Sequence, residues 1–571
     1  MSACSGPTVT AAVPAETAAA RLEALEERLR RGEVPAVGEV QALTRVPDRV
    51  VRGQAKRLLA HVLLAQARVS AATLLVDACE ELDYVAPAAV QEAVAQVAGL
   101  RDWAAVTAVC LRASERLTAH GALIPALVQL QNALTTDLAH GSNRTNDPAF
   151  LRRVIGVYER VARQAQAATG VRQTQRGRRR SPAGGKLRLA HVVAQIVSGG
   201  HAPSRAIEAM LKFADRERFE TLLCVTESLS PHEQQAGQLL VSDTSDRRGA
   251  ERIRRFEQEY GVPVLRPGTR ASFVAAAADL HAQFAQRGID VAFFHGSVAT
   301  PTEWLLCAWQ AAPWQLDGGF GVPLHCPAVD YQFFEFAETM EKLAFWCRER
   351  GIAYGLKPTG ADLSHVEQAV ALSRAELGVP ADHVILGTVG NHLPTRMSPQ
   401  FCRTVAAVMR REPKTTFLVV GPGSFAVQRQ ELGAELCDGP QPRVRFTGPV
   451  REPERLTKAF DIYLNSYPDG GGFVLGDAMA AGKPIVCMVV GNSTYAQAGA
   501  TWVGAENLVT PPTDEAYAAR LTELIRDPAQ RAALGRRLRQ RYEEKFDARR
   551  WVAALTERVL RTVAGAPQPQ D

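Results

Sequence analysis

Residues 461–488 read DIYLNSYPDGGGFVLGDAMAAGKPIVCM. The apolar run after Asp461 predicts a short strand that empties into a loop carrying Asp469 and three glycines, Gly470, Gly471 and Gly472. A helix is predicted from Phe473 to Ala481, stopped by Gly482 and Pro484, and the β-branched run from Ile485 predicts a second strand. Glycines at the point where a loop meets a helix N-terminus leave backbone N–H groups unpaired at an electropositive end, which suits an anionic phosphate. Asp469 and Asp477 bracket the loop with seven residues between them. Asp477 falls in the first turns of the helix, where a carboxylate can accept hydrogen bonds from a ribose diol. A plain strand-to-helix connection carries similar glycines; the paired acids favour a nucleotide-sugar site.

Outward from this unit the same alternation continues. From Leu187 onward, short apolar strands alternate with helices of ten or more residues, the pattern of a parallel sheet covered on both faces. One series runs over 187–340 and a second over 381–565, with a connector at 341–380. In front of them, 19–166 reads as helical hairpins broken by Gly, Asp and Pro, without a fixed 34-residue period. Residues 1–18 read as a disordered lead-in, and 167–186, rich in Arg, Gly, Ser and Pro, as a basic linker. The fold class expected is α/β, two tandem Rossmann-like domains behind an all-helical domain. Ligands bind such sheets beyond the carboxyl ends of the strands, so two facing domains share one cleft.

Composition narrows the function classes. The chain has 571 residues, too many for one core, and 66 basic against 60 acidic residues. A net charge of +6 spread over this length gives no concentrated basic face, so no nucleic-acid partner is expected. Ten cysteines without a C-x-x-C pair read as reduced thiols rather than a disulfide framework or a zinc site. No apolar run reaches membrane-spanning length, and no basic segment followed by an apolar core opens the chain, so a cytoplasmic protein is expected.

The tandem domains, with the phosphate loop in the second, resemble the GT-B glycosyltransferases, and several motifs are similar to family 41, the O-GlcNAc transferases and bacterial adhesin N-glucosyltransferases. The stretch LRLAHVVAQIVSGGHAPSRAIEAML resembles that family's first strand and its G-x-H-P-T-S-H turn. His201 falls on the first histidine of that turn, and Arg205 stands near the second. In the run from Ile289 to Phe334, Gly296, Pro313, Gln315, Asp330 and Tyr331 match, while His295 replaces an Asn. GTVGNHLPTRMSP is similar to a segment whose Lys contacts the diphosphate, with Asn391, Leu393 and Pro399 in place and Arg396 as the shifted cation. GGGFVLGDAMAAGKPIVCM places Asp477 on the ribose-binding acid, although Gly472, Phe473 and Val474 replace the family's His-Thr-Thr. The spacing Asp469-x7-Asp477 also echoes the Glu-x7-Glu of retaining family 4 enzymes.

The resemblance implies transfer of a sugar from a UDP-sugar to a protein or peptide side chain, with inversion; a family 4-like enzyme acting on a glycan, lipid carrier or small molecule is the alternative, and a non-catalytic GT-B-like binding protein the third reading. No Asp-x-Asp occurs, so no metal and no cofactor beyond the UDP-sugar co-substrate is expected. Donor binding is then expected from Asn391, His392, Arg396, Asp469, Gly470, Gly471, Gly472, Phe473 and Asp477. His201 and His295 are the candidate catalytic residues, each a base, an orienting group or a structural histidine. Gly199, Gly200, Gly296, Gln315 and Asp317 are expected to line the acceptor side of the cleft. Trp304, Trp309 and Trp314, at five-residue steps, read either as sugar-stacking platforms or as core.

Overall fold

The computed structural model describes residues 15–65, 103–140, 144–178, 185–197, 201–226, 247–269, 271–320, 322–491 and 494–565. The helical region divides in two. Helices Ala15–Arg30, Val37–Leu43 and Arg49–Ala65 enclose a small core of their own around Leu22, Val40, Leu43 and Leu59. The expected lead-in therefore ends by Ala15 rather than at residue 18. Helices Trp103–Ala119, Leu123–His140 and Pro148–Thr169 instead share one core with the first α/β unit. Tyr158 stacks on Trp304 with ring centroids 4.5 Å apart and donates to the Val298 carbonyl at 2.7 Å. The Trp309 indole donates to the Ala162 carbonyl at 3.0 Å. Trp304 and Trp309 are thus fully buried tie points between helices and sheet, and Trp314 opens a strand instead of continuing their helix.

The helix Pro148–Thr169 closes on Gly170, whose φ of 69° is the left-handed cap that glycine takes without strain. The described part of the expected basic linker, up to Arg178, then lies along the first α/β unit. Thr174 and Gly177 donate backbone N–H groups to the carbonyls of Gln310 and Pro313. Arg176 donates to Gln310 Oε1 at 2.8 Å and to the Ala328 carbonyl at 2.5 Å. Arg178 bonds to Gln175, and Arg179 and Arg180 fall outside the described residues.

Seven parallel strands form the first sheet: β1 (Leu187–Val193), β2 (Phe219–Val225), β3 (Val264–Leu265), β4 (Val291–Phe294), β5 (Trp314–Asp317), β6 (Tyr331–Phe334) and β7 (Ala353–Leu356). Their order is β3-β2-β1-β4-β5-β6-β7. The second sheet contains β8 (Val384–Val389), β9 (Thr415–Val420), β10 (Val444–Gly448), β11 (Ile462–Leu464) and β12 (Ile485–Val486), ordered β10-β9-β8-β11-β12 and also parallel. Strands such as VAFF and TTFLVV are buried along their whole length, as helices on both faces require. β7 lies inside the expected connector, so the first unit extends past residue 340 to about Leu356.

The last helix, Ala548–Ala564, returns to the first sheet. Trp551, Val552, Leu555 and Val559 are buried with Leu189, Leu316, Tyr331 and Phe333 rather than with the second unit, within whose bounds of 381–565 the helix falls in sequence. Gly360 sits so close to the Trp551 side chain that a Cβ there would lie 2.6 Å from it, pinning the crossing point. Two doubly wound units, the first reclaiming the final helix, form the GT-B arrangement behind a helical region. In each sheet the strand order reverses once, between β1 and β4 and between β8 and β11. Those switch points are where an open parallel sheet leaves a crevice for ligand.

Candidate functional site

The loops leaving β1, β4, β8 and β11 carry most of the residues singled out from sequence, and the helices that follow the first and last of them are joined by a side-chain pair. After β11 comes Asn465, whose own N–H continues the ladder to Val486. Its side chain is buried, with Oδ1 accepting the Gly471 N–H at 2.8 Å and Nδ2 on the Cys487 sulfur at 3.2 Å. A Cβ on Gly470 would lie 2.3 Å from that amide, so the glycine is required by close approach. The Tyr517 hydroxyl donates to the Asn465 carbonyl, and the Tyr467 hydroxyl bonds Thr404 and Asp514. The glycine loop is therefore held from beneath by buried side chains. One of its three amides is spent on that hold, so the expectation that all of Gly470–Gly472 face a diphosphate is corrected for Gly471.

The helix Phe473–Ala480 begins at Gly472 with no side-chain cap, and Asp469 is half-buried ahead of it. Phe473 packs against the cores of both units and against the Trp502 ring, 5.6 Å away. It is a wedge between domains as well as a neighbour of the loop.

Asp477 does not stand free. Arg205, from the first turn of helix Ala202–Lys212 in the other unit, grips it through both terminal nitrogens at 2.8 and 3.1 Å. The two side chains are 12% and 16% exposed, so the pair is largely shielded from water. His365 Nε2 stands 3.2 Å from Arg205 and 3.6 Å from the Asp477 carboxylate. Burial alone would raise the Asp477 carboxyl; the Arg205 charge and the His365 and Arg205 hydrogen bonds outweigh it and hold the group well below the usual carboxylate range. A second bridge, Lys212 to Asp362 at 2.6 Å, ties the same helix to the segment after β7.

His201 caps that helix. Its Nδ1 accepts the Ser204 N–H at 3.4 Å and stands 2.8 Å from Ser204 Oγ, which itself accepts the Val197 N–H at 2.8 Å. With Nδ1 accepting, the neutral ring carries its proton on Nε2. Burial pushes the imidazole down to about 4, helped by the charges of Arg252 and of His392 in the second unit. His201 is thus a neutral hydrogen-bond donor near the domain boundary. The capping role weighed from sequence is present, and a base role would require breaking the Ser204 contact.

His295 lies elsewhere. It is buried, its Nε2 is 2.9 Å from His191 Nδ1, and burial followed by the His191 and Lys357 charges holds it neutral. It follows β4 directly and donates its backbone N–H to the Val192 carbonyl at the carboxyl end of β1. Gln315, expected at the acceptor face, is fully buried and ties Ala311, Cys307 and Ala328 together. Asp317 is also fully buried. It accepts N–H groups from Gly319 and His325 and shapes the loop after β5, while burial raises its carboxyl to about 7. Gly296 is needed for packing, since a Cβ would lie 2.1 Å from Glu303 Oε2. Gly199 and Gly200 fall outside the described residues.

On the donor side Asn391 and His392 are exposed at the end of β8, and Arg396 is half-buried in the short helix Leu393–Arg396. The Arg396 and Asp477 charges both bear on Tyr463, whose hydroxyl bonds Val389. The Arg396 charge also bears on His392, the Arg252 and His392 charges on His201, and the Arg205 charge on Arg252. Sequence reading missed Asn465, His365 and the role of Arg205. Asn465 could have been suspected, as a polar residue closing an apolar strand directly before a glycine loop. Among the described residues no three His, Cys, Asp or Glu side chains converge as a metal-binding group.

Residues 383–527, which contain the glycine loop and Asp477, match the family model described as "Glycosyl transferases group 1". The chain is similar to the D-inositol 3-phosphate glycosyltransferase of Kineococcus radiotolerans, 33% identical over 201 residues, covering 32% of this chain and 46% of that protein. The same-named protein of Corynebacterium jeikeium is 33% identical over 199 residues, covering 31% and 45%. The chain thus spans under half the length of the curated relatives it matches. Among solved structures, a mutant of Thermobaculum terrenum O-GlcNAc transferase aligns over 96% of this chain and 98% of its own, at 17% identity and a TM-score of 0.49.

Proposed function

We propose that the protein is a glycosyltransferase that takes its sugar from a nucleotide sugar, a UDP-sugar foremost, and transfers it with inversion and without a metal. The observation that carries this is the glycine loop and Asp477, anchored by Asn465 within the stretch matching the group 1 glycosyltransferase model. In this reading Asp477 holds the ribose hydroxyls, and Arg396, with the helix end at Gly472 and Phe473, meets the diphosphate as charge develops on the leaving group. Asn391 and His392 close the β8 side. His201 offers its Nε2–H to the acceptor or to the leaving phosphate. His295, held on His191, closes the carboxyl end of β4.

The acceptor is proposed to be a protein or peptide side chain, as the family 41 motifs imply and as the extended helical surface suits. A second reading has a specific observation behind it: both relatives named above are D-inositol 3-phosphate glycosyltransferases, so a small phosphorylated polyol is the rival acceptor class. The test incubates the full chain with UDP-, GDP-, ADP- and dTDP-sugars, with and without EDTA, against a mixed peptide pool and against inositol phosphates, reading products by mass. A peptide mass gain of one sugar unit, unaffected by EDTA, is expected. A glycosylated inositol phosphate alone would replace the acceptor assignment, and EDTA-sensitive transfer would remove the metal-free one.

A further inference from the structure

Arg205 enters from the domain opposite the glycine loop, yet it is the residue that occupies the donor-side acid. We propose that Arg205 is a donor-diphosphate residue contributed across the cleft: it rests on Asp477 while no ribose is present and turns to the diphosphate when the ribose hydroxyls take the carboxylate. The inference builds on the nucleotide-sugar reading of that site.

Three observations support it. The bidentate contact is shielded, with the two side chains 12% and 16% exposed. A neutral ribose replacing the guanidinium on Asp477 would strand a buried cation, which is costly unless a new anion arrives. A nucleoside diphosphate brings that anion in the same molecule; a nucleoside does not. Next, Asp477 is the only carboxylate that Arg205 both feels and hydrogen-bonds among the described residues: the Glu454 and Asp362 charges also bear on it, but Asp362 is already paired with Lys212. Arg252, whose charge bears on it, is paired with Glu208, while His365 lies against it. Finally, the distance is short. Asp477 lies four residues beyond the first residue of the helix, about 6 Å along its axis, within the swing of an arginine side chain. With Gly471 committed to Asn465, the loop supplies one amide fewer, and a guanidinium fork is the group matched to phosphate oxygens.

The consequence is coupled recognition of ribose and diphosphate. The test is calorimetric titration of the full chain with UDP, GDP, ADP and dTDP, each beside its own nucleoside, in the native protein and in Arg205→Gln and Arg205→Lys. In Arg205→Gln the preference for diphosphate over nucleoside should fall about 10- to 100-fold. Nucleoside affinity should hold or rise, because the competitor for Asp477 is gone. Arg205→Lys should recover part of the preference, since a point charge remains without the fork. An Arg205→Gln protein with the native diphosphate-to-nucleoside ratio overturns the proposal and leaves the donor site standing. A native protein that binds neither form overturns both. Should Arg205→Gln fail to fold, Asp477→Asn decides. The proposal requires it to keep or increase the diphosphate preference while losing nucleoside affinity, and a collapse of that preference would contradict it.

Discussion

At the scale of single residues, the histidines divide by what their nitrogens touch. His201 keeps Nδ1 on Ser204 and is held neutral, so it serves the helix. Asparagine can supply the cap without the imidazole, and alanine supplies neither. His201→Asn should melt close to the native temperature and lose turnover, whereas His201→Ala should also lose about 1 kcal/mol of stability. Equal activity in the native protein and His201→Asn would reduce the residue to its capping role. The pH dependence has a definite sign. Because folding lowers this histidine from 6.5 to about 4, its contribution is fully present above pH 6.5 and is lost as pH falls toward 4. Chemical denaturation across that window should show a shallower decline in His201→Asn. From sequence His201 and His295 looked alike, each following a strand. Their difference was not legible, because VAFF is buried on both sides and no alternation marks which way the next residue turns.

At the scale of elements, the strand–loop–helix unit at 461–488 was legible because its signals are local: an apolar run, three glycines, a Gly-Lys-Pro stop. What holds it was less so. The Asn465 amide joins the Gly471 N–H to Cys487, across 22 residues of chain. Asn465→Ala leaves that buried N–H without its acceptor, and such a loss costs about 1–3 kcal/mol. The expected result is a modestly lower melting temperature and a several-fold higher KM for the nucleotide sugar, with kcat less affected. Unchanged KM would show that the loop keeps its shape without the clamp. The β7 strand was missed for a related reason. AYGL is a partly exposed four-residue edge strand containing Gly355, which a reader of periodicity assigns to a connector. That glycine is needed because a Cβ there would sit 2.4 Å from the Tyr331 hydroxyl.

At the scale of the molecule, two parallel sheets each have one switch point, and the pair Arg205–Asp477 joins one unit to the other between residues 272 apart in sequence. The double-sheet plan could be read from alternation alone. The cross-cleft pair could not, since nothing local to Arg205 or to Asp477 names the other. Nor could the partners of the linker and of the final helix: Arg176 and Trp551 find theirs in the first unit, far from their own neighbours in the chain. The account stands on Asp477 as the donor's anchor in that cleft. Its most direct test is release of nucleoside diphosphate from nucleotide sugars by the native protein beside Asp477→Ala, with folding of both checked by melting. Slow hydrolysis of one donor by the native protein, reduced about 10²–10³-fold in the folded variant, is the predicted result. Equal release by both proteins would contradict it.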